Sequence, residues 1–288
     1  MQEHSNYFVD AEKAMETVRL IDQAEMTSRA TCRQPFPASV KPDTLRTVLD
    51  LACGPGDWPM DVVFSHPDIE VVGVDISQTM VNYAQARAKS RGLYNVIFEV
   101  GDITKPLEYL DASFDYVNAR YLGGYLRPAE WAALLAECRR ILKPNGYICL
   151  NEGEWPLSTS PAYQRYARSI SHALKLAGQS FSADGYDLAL TPMLGKLLRD
   201  AGFSLLERTV HWQDLSYGTD EYMNWLAICR SLFAQTQPFL IKHLPVTQEE
   251  LESLYQQALI EMQQPDFCAA GFSLSVLASQ AAETGAQP

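Results

Sequence analysis

The residues of this chain best suited to do chemistry lie in a turn between a strand and a helix. In residues 48–58, VLDLACGPGDW, an apolar run stops at Gly54-Pro55-Gly56, and a helix is expected to begin near Trp58 or Pro59. Glycines here allow a tight turn and close approach of a ligand to the backbone, and the helix N-terminus behind them offers free N–H groups. Asp75 ends the next apolar run, 21 residues after Gly54. That spacing suits a carboxylate accepting hydrogen bonds from a ribose diol. A dinucleotide-binding turn would carry a third glycine three residues after Gly56, where Pro59 stands instead. The third glycine permits close helix–strand packing, so its absence disfavours NAD and FAD.

Other reactive side chains are dispersed. His4, His66, His172, His211 and His243 are isolated, which argues against a metal site. His211 stands near the carboxyl end of a strand, where ligands bind in open α/β sheets, and is a candidate general base. Glu152 and Glu154 follow another strand, and either would accept a proton or hold a cationic acceptor. Six cysteines lack any CxxC pairing, which points to reduced thiols in a cytosol. Cys53 reads as packing rather than as a nucleophile, since nothing nearby in sequence would lower its pKa. Aromatic residues crowd the segments after the strands. Tyr7, Tyr121, Tyr125, Trp155, Tyr163 and Trp225 are the candidates for lining a pocket for a flat or apolar small molecule.

These groups need a scaffold, and strands alternate with helices over residues 46–152. Short apolar runs at 48–51, 70–75, 95–100, 114–118 and 147–151 read as strands, with helices over 78–90 and 128–142. In the second helix Trp131, Leu134, Leu135, Cys138, Ile141 and Leu142 share one face. Such alternation implies a parallel sheet covered on both faces. The spacing also predicts an amphipathic helix over 10–26, with Met15 and Val18 inward and Glu16, Arg19 and Asp22 outward. Further on come a helix over 191–201, a strand over 205–212 and a mostly helical stretch over 219–263, broken near Pro238 and Pro245. Residues 271–277 alternate polar and apolar, as a half-exposed edge strand would, and the tail after Ala281 is small and polar.

The chain has 288 residues, 47% of them hydrophobic and 20% charged, which is ordinary globular composition. Its formal charge of −12 and its lack of basic runs longer than pairs argue against nucleic acid as a partner. No apolar stretch is long enough for a membrane span, and the N-terminus shows neither the basic nor the apolar region of a signal peptide. The expected location is cytoplasmic.

The motifs resemble those of the class I S-adenosylmethionine-dependent methyltransferases. VLDLACGPG resembles the first motif of that family and VVGVDIS the second; residues 101–122 resemble the third and fourth, and RRILKPNGYICLNE the fifth. The resemblance covers about residues 45–152. It implies an α/β, Rossmann-like, mostly parallel seven-stranded sheet with helices on both faces. It further implies S-adenosylmethionine as cofactor, with Asp50, Ala52, Gly54 and Gly56 at its methionine end. Asp75 would hold the ribose, Ile76 and Met80 would pack beside the adenosine, Asp102 would bind the adenine amine and Ile103 would cover the ring. Asn118 would face the methionine part or the reacting sulfur. Cys53 departs from the glycine common in the family. The implied organisation is a helical cover segment over 1–42, a core over 43–212 with an insertion at 153–190, a helical cover over 213–266, and a last strand and tail over 267–288. The implied activity is methyl transfer to oxygen, nitrogen or carbon of a small molecule, as in secondary metabolism, with a homodimer allowed. A cofactor-assisted cyclisation or a non-catalytic binding module is the alternative.

Overall fold

A computed structural model describes residues 8–9, 14–31 and 34–280. Tyr7, His4, Cys32 and the tail lie outside the described residues. In chain order the elements are α1 (Ala14–Ala30), β1 (Thr47–Leu51), α2 (Asp57–Ser65), β2 (Glu70–Asp75), α3 (Gln78–Ser90), β3 (Val96–Val100), β4 (Phe114–Arg120), α4 (Pro128–Ile141) and β5 (Leu142–Gly153). They continue with β6 (Leu157–Ser158), α5 (Pro161–Leu176), α6 (Leu194–Asp200), β7 (Phe203–Asp214), α7 (Tyr222–His243), α8 (Gln248–Met262) and β8 (Ala269–Gln280).

Seven long strands run in the order β3-β2-β1-β4-β5-β8-β7, and the two-residue β6 pairs with the start of β8. Only β8 is antiparallel to its neighbours; β1 to β5 pair in parallel. The central strands bury both faces, as the near-continuous apolar runs require. On one face α2 and α3 pack Trp58, Met60, Val62, Val81 and Ala84 against Val48, Val71 and Tyr116. On the other, Trp131, Leu134, Leu135 and Cys138 of α4 pack with Leu198 of α6 against Val117, Ile148 and Val276. A third apolar cluster joins α5, α7 and α8 through Tyr163, Tyr166, Phe233 and Leu251. No described helix is long and apolar enough to cross a membrane.

Three expectations are corrected. The last strand is not an edge: β8 lies between β5 and β7, and β7 holds the edge. Its alternation arises because Ser275 turns toward a polar pocket, where it meets Asn151 and His211, while Val276 enters the core. The long helix is not broken at Pro238, which lies inside α7. An internal proline forfeits one helical hydrogen bond; burial of Thr236, Gln237 and Leu240 on either side outweighs that loss.

The third correction concerns α1, whose faces are the reverse of those expected. Met15 and Val18 are 52% and 58% exposed, whereas Glu16 and Arg19 are 0% and 4% exposed. The two charges share a face at i, i+3 and form a bidentate pair at 2.6 and 2.7 Å. Gln235 of α7 donates to the same carboxylate at 3.1 Å. A pair neutralised in this way can be buried, where either charge alone could not.

Candidate active site

The carboxyl ends of β1 to β4 surround a cavity of about 670 Å3, closed over by α1. Ala52, Gly54, Asp75, Ile76, Met80, Asp102 and Ile103 all border it. After β1 the chain turns through Ala52 at φ 54° and Gly54 at φ 53°, and Gly56 at φ 80° caps α2. Asp75 fixes this turn: one carboxylate oxygen accepts from the Gly54 N–H at 2.8 Å, the other from the Ser77 N–H at 2.9 Å. At the end beyond β3, Asp102 accepts from the Thr104 N–H and hydroxyl at 2.9 and 2.6 Å and lies 3.4 Å from the Lys105 ammonium. Burial alone would raise its pKa, but the Thr104 and Lys105 interactions outweigh burial and hold it below the ordinary carboxylate value.

The two glycines of the turn have different reasons to be glycine. A Cβ on Gly54 would meet nothing within 4 Å, whereas one on Gly56 would lie 2.7 Å from the Phe98 ring and 2.9 Å from the Ala84 methyl. Gly56 therefore serves helix–sheet packing and does not border the cavity. Gly56→Ala is expected to destabilise the fold by about 3 kcal/mol, combining overpacking and a left-handed backbone. Gly54→Ala should cost only about 1–2 kcal/mol of backbone strain yet reduce ligand affinity. Thermal melts and calorimetry on both variants check this, and equal stability losses would contradict it.

Asp50 and Asn118 lie behind the cavity rather than in its wall. Asn118 is buried and donates to Asp50 at 2.7 Å, and it borders a separate polar pocket of about 170 Å3. Strand alternation explains this: residues 118 and 120 share one face of β4, while 117 and 119 face the other core. Burial pushes the Asp50 carboxyl up to about 6, with the Arg120 charge and the Asn118 amide opposing.

A second cavity, of about 150 Å3, adjoins the first, and Gln23, Tyr121 and Tyr125 border both. Tyr121 holds φ 55°, and its N–H donates to the Asn151 carbonyl at 2.9 Å. Tyr125 stacks on Phe8 with centroids 5.1 Å apart. Trp155 and Trp225 lie in the wall, the former donating to Ser171 at 2.7 Å. Among the described residues the Trp225 indole nitrogen is buried and has no hydrogen-bond partner. Tyr163 is elsewhere: it is fully buried between α5 and α7, edge-on to Trp225 at 5.9 Å.

Glu152 and Glu154 both border the second cavity but are differently engaged. Glu154 accepts hydrogen bonds from the N–H groups of Leu188, Ala189, Leu190 and Thr191 and from the Thr191 hydroxyl, at 2.9–3.1 Å. Five donors make it the organiser of that loop. Glu152 accepts from the Leu122 N–H at 2.7 Å and the Gly123 N–H at 3.2 Å, and it is buried. Burial pushes its pKa up to about 8, against the pull of those two N–H groups. His211 faces neither cavity. Its Nε2 lies 3.0 Å from the Ser275 hydroxyl in the 170 Å3 pocket on the other face of the sheet, and burial lowers its pKa.

Arg19, Gln23 and Thr27 of α1 and Arg120 of β4 are cavity residues that the sequence motifs do not mark. The reversed face of α1 hid the first three. For Arg120 the available signal was an arginine at a strand end two residues beyond Asn118.

A family profile described as a methyltransferase domain matches residues 48–146. The chain is 31% identical over 179 residues to a demethylmenaquinone methyltransferase of Lactococcus lactis, a match covering 57% of this chain and 68% of that protein. Two solved structures share the fold. One is geranyl diphosphate methyltransferase in complex with SAM, with TM-score 0.51 and 15% identity over 95% of this chain and 94% of that one. The other is the cyclase SpnF, with TM-score 0.51 and 22% identity over 90% and 82%.

Proposed function

Because the chain belongs to the class I S-adenosylmethionine-dependent methyltransferases, we propose that it methylates a small, flat, largely apolar acceptor seated in the 150 Å3 cavity, with Glu152 taking the proton the acceptor sheds. The cofactor is S-adenosylmethionine, and the residues present fit it. Gly54 leaves an open cradle where any side chain would intrude, Asp75 offers acceptors for a diol, and Ile76, half exposed, presents an apolar surface beside them. Asp102 and Ile103 border the far end, in position for an adenine amine and ring.

The cofactor supplies an electrophilic methyl group. The chain's own residues must align the acceptor, exclude water and remove a proton where the acceptor does not lose it unaided. One observation carries the reading: the two cavities share the wall formed by Gln23, Tyr121 and Tyr125, and Glu152 stands in the second. A carboxyl with a pKa near 8 is matched to proton transfer close to neutral pH. The Trp225 indole N–H, buried without a partner among the described residues, is a candidate donor to an acceptor oxygen. Demethylmenaquinone, named for the Lactococcus relative, is a first acceptor to test.

The helical layer shapes this pocket, in the proposed account. Trp225→Ala is then expected to raise acceptor KM by roughly 10-fold or more, given the hydrophobic and hydrogen-bonding surface lost, with cofactor affinity little changed. It should also cost about 3–5 kcal/mol of stability, because Trp225 is nearly buried. Melting temperature and acceptor KM on the same variant separate the two effects. A stability loss with an unaltered acceptor profile would make Trp225 a buttress only.

A further inference from the structure

The five hydrogen bonds to Glu154 divide between its two oxygens. One accepts from the Leu188 and Ala189 N–H groups at 2.9 and 3.1 Å. The other accepts from the Leu190 and Thr191 N–H groups at 3.0 and 3.1 Å and from the Thr191 hydroxyl at 3.0 Å. Successive N–H groups converging in this way make a concave anion site, and bonds to an ionised acceptor are roughly twice as strong as neutral ones. Within the turn Ala189 holds a left-handed φ of 52°. A residue with a Cβ adopts that conformation at a cost, so the carboxylate is what keeps residues 188–191 in this shape.

The held residues stand beside Glu152. A Cβ placed on Gly123 would lie 3.1 Å from Leu190 Cδ2, 3.2 Å from Glu152 Oε2 and 4.0 Å from Leu188 Cδ1, so both leucines and the carboxylate surround one point. Leu190 joins the core under α4 and α6, whereas Leu188 packs with the helical layer. Leu190 and Glu152 are each only 2% exposed. From β8, Leu274 stands opposite Glu152. The charged and titratable groups at this cavity are Glu154 itself, Tyr121 and Tyr125 after β4, and Arg19 of α1, whose charge Glu16 neutralises. Burial is the largest influence raising the Glu152 pKa, and the Glu154 charge adds to it.

We propose that Glu154 is a positioning residue for the proton step: by latching residues 188–191 it seats Leu188 and Leu190 beside Glu152 and keeps water from that carboxyl. This role rests on Glu152 acting as the proton acceptor. An apolar surround disfavours the charged form of a carboxyl. Loosening the latch therefore lets Glu152 ionise at lower pH and makes it a weaker base.

The test follows the Glu152 carboxyl by NMR in the full chain labelled with carbon-13 at the glutamate side-chain carboxyls; its signal is the one missing from Glu152→Gln. Glu154→Ala removes latch and charge together, whereas Leu188→Ser opens the apolar surround and leaves the charge. Both should lower the Glu152 midpoint from about 8 to about 7 or below, and the rise of turnover with pH should move with it. In Glu154→Ala, but not in Leu188→Ser, amide hydrogen exchange at residues 188–191 should quicken by about 10-fold or more. Should Glu154→Ala fail to fold, Glu154→Gln gives a smaller version of the same loss, since it keeps one oxygen but turns an amide N–H toward the remaining donors. A midpoint that moves in the Glu154 variants alone would assign the effect to charge and overturn the latch, as would unchanged midpoints in all of them or unchanged exchange at 188–191. A wild-type midpoint in the ordinary glutamate range would overturn the latch and the base role together. Normal turnover in Glu152→Gln would overturn the base role, while the midpoints still decide the latch.

Discussion

Replacing Glu152 by glutamine is expected to lower methyl-transfer turnover by about 10²–10⁴-fold, the range for a positioned proton acceptor, while S-adenosylhomocysteine affinity stays within a few-fold of wild type. The amide has nearly the shape of the acid and retains one oxygen for the Leu122 N–H, so the second cavity should keep its form. Turnover of the wild type should rise with pH toward about 8, as the Glu152 carboxylate forms, and the variant should lose that rise. Stability should move the other way. A carboxyl whose pKa rises from 4.5 to about 8 on folding binds its proton more tightly in the folded state. Its contribution to stability is full below pH 4.5 and is lost as pH climbs through 8, a difference of a few kcal/mol in order of magnitude. Melting temperatures between pH 5 and pH 9 should therefore fall more steeply for wild type than for Glu152→Gln, once the common trend is subtracted. Parallel pH profiles for both rate and melting would remove Glu152 from the proton path.

Asp75→Ala should weaken S-adenosylmethionine and S-adenosylhomocysteine alike, by about 10–1,000-fold. One charge-assisted hydrogen bond to a diol, worth about 1.5–3 kcal/mol, sets the lower part of that range, and a second bond the upper part. The structure adds a second reason: the same carboxylate holds the Gly54 and Ser77 N–H groups, so its loss also loosens the turn. Asp75→Asn separates the contributions, since its amide oxygen can still accept one of those N–H groups but carries no charge. It should fall between wild type and alanine in affinity and melt closer to wild type than Asp75→Ala does. Calorimetry showing wild-type affinity in Asp75→Ala would remove this residue from the site.

The glycine turn and Asp75 were legible because strand, turn, helix, strand and acid succeed one another within 30 residues, and local sequence determines each. Other placements depend on information from far away in the chain. Which face of β4 carries Asn118 depends on strand phase, and a period of two does not reveal which phase is inward. Glu152 and Glu154 look equivalent in sequence; residues 188–191, more than 30 positions on, saturate one of them and leave the other. In α1 the usual rule of charge outward failed because Glu16 and Arg19 neutralise each other over a cavity and against α7. The antiparallel β8 looked like an edge because its serines serve a polar pocket rather than solvent. Tyr163, a well-placed aromatic by sequence, joined the packing of the helical layer instead.

In the proposed reaction this chain moves a methyl group to a small molecule held beside Tyr121 and Glu152. Incubation with methyl-labelled S-adenosylmethionine and small-molecule extracts of the producing cell, followed by mass spectrometry, tests it most directly. A labelled low-mass product is expected to appear with wild type and to drop sharply with Glu152→Gln, while both proteins bind S-adenosylhomocysteine. Label confined to protein or nucleic acid, or a product unaffected by Glu152→Gln, would contradict it.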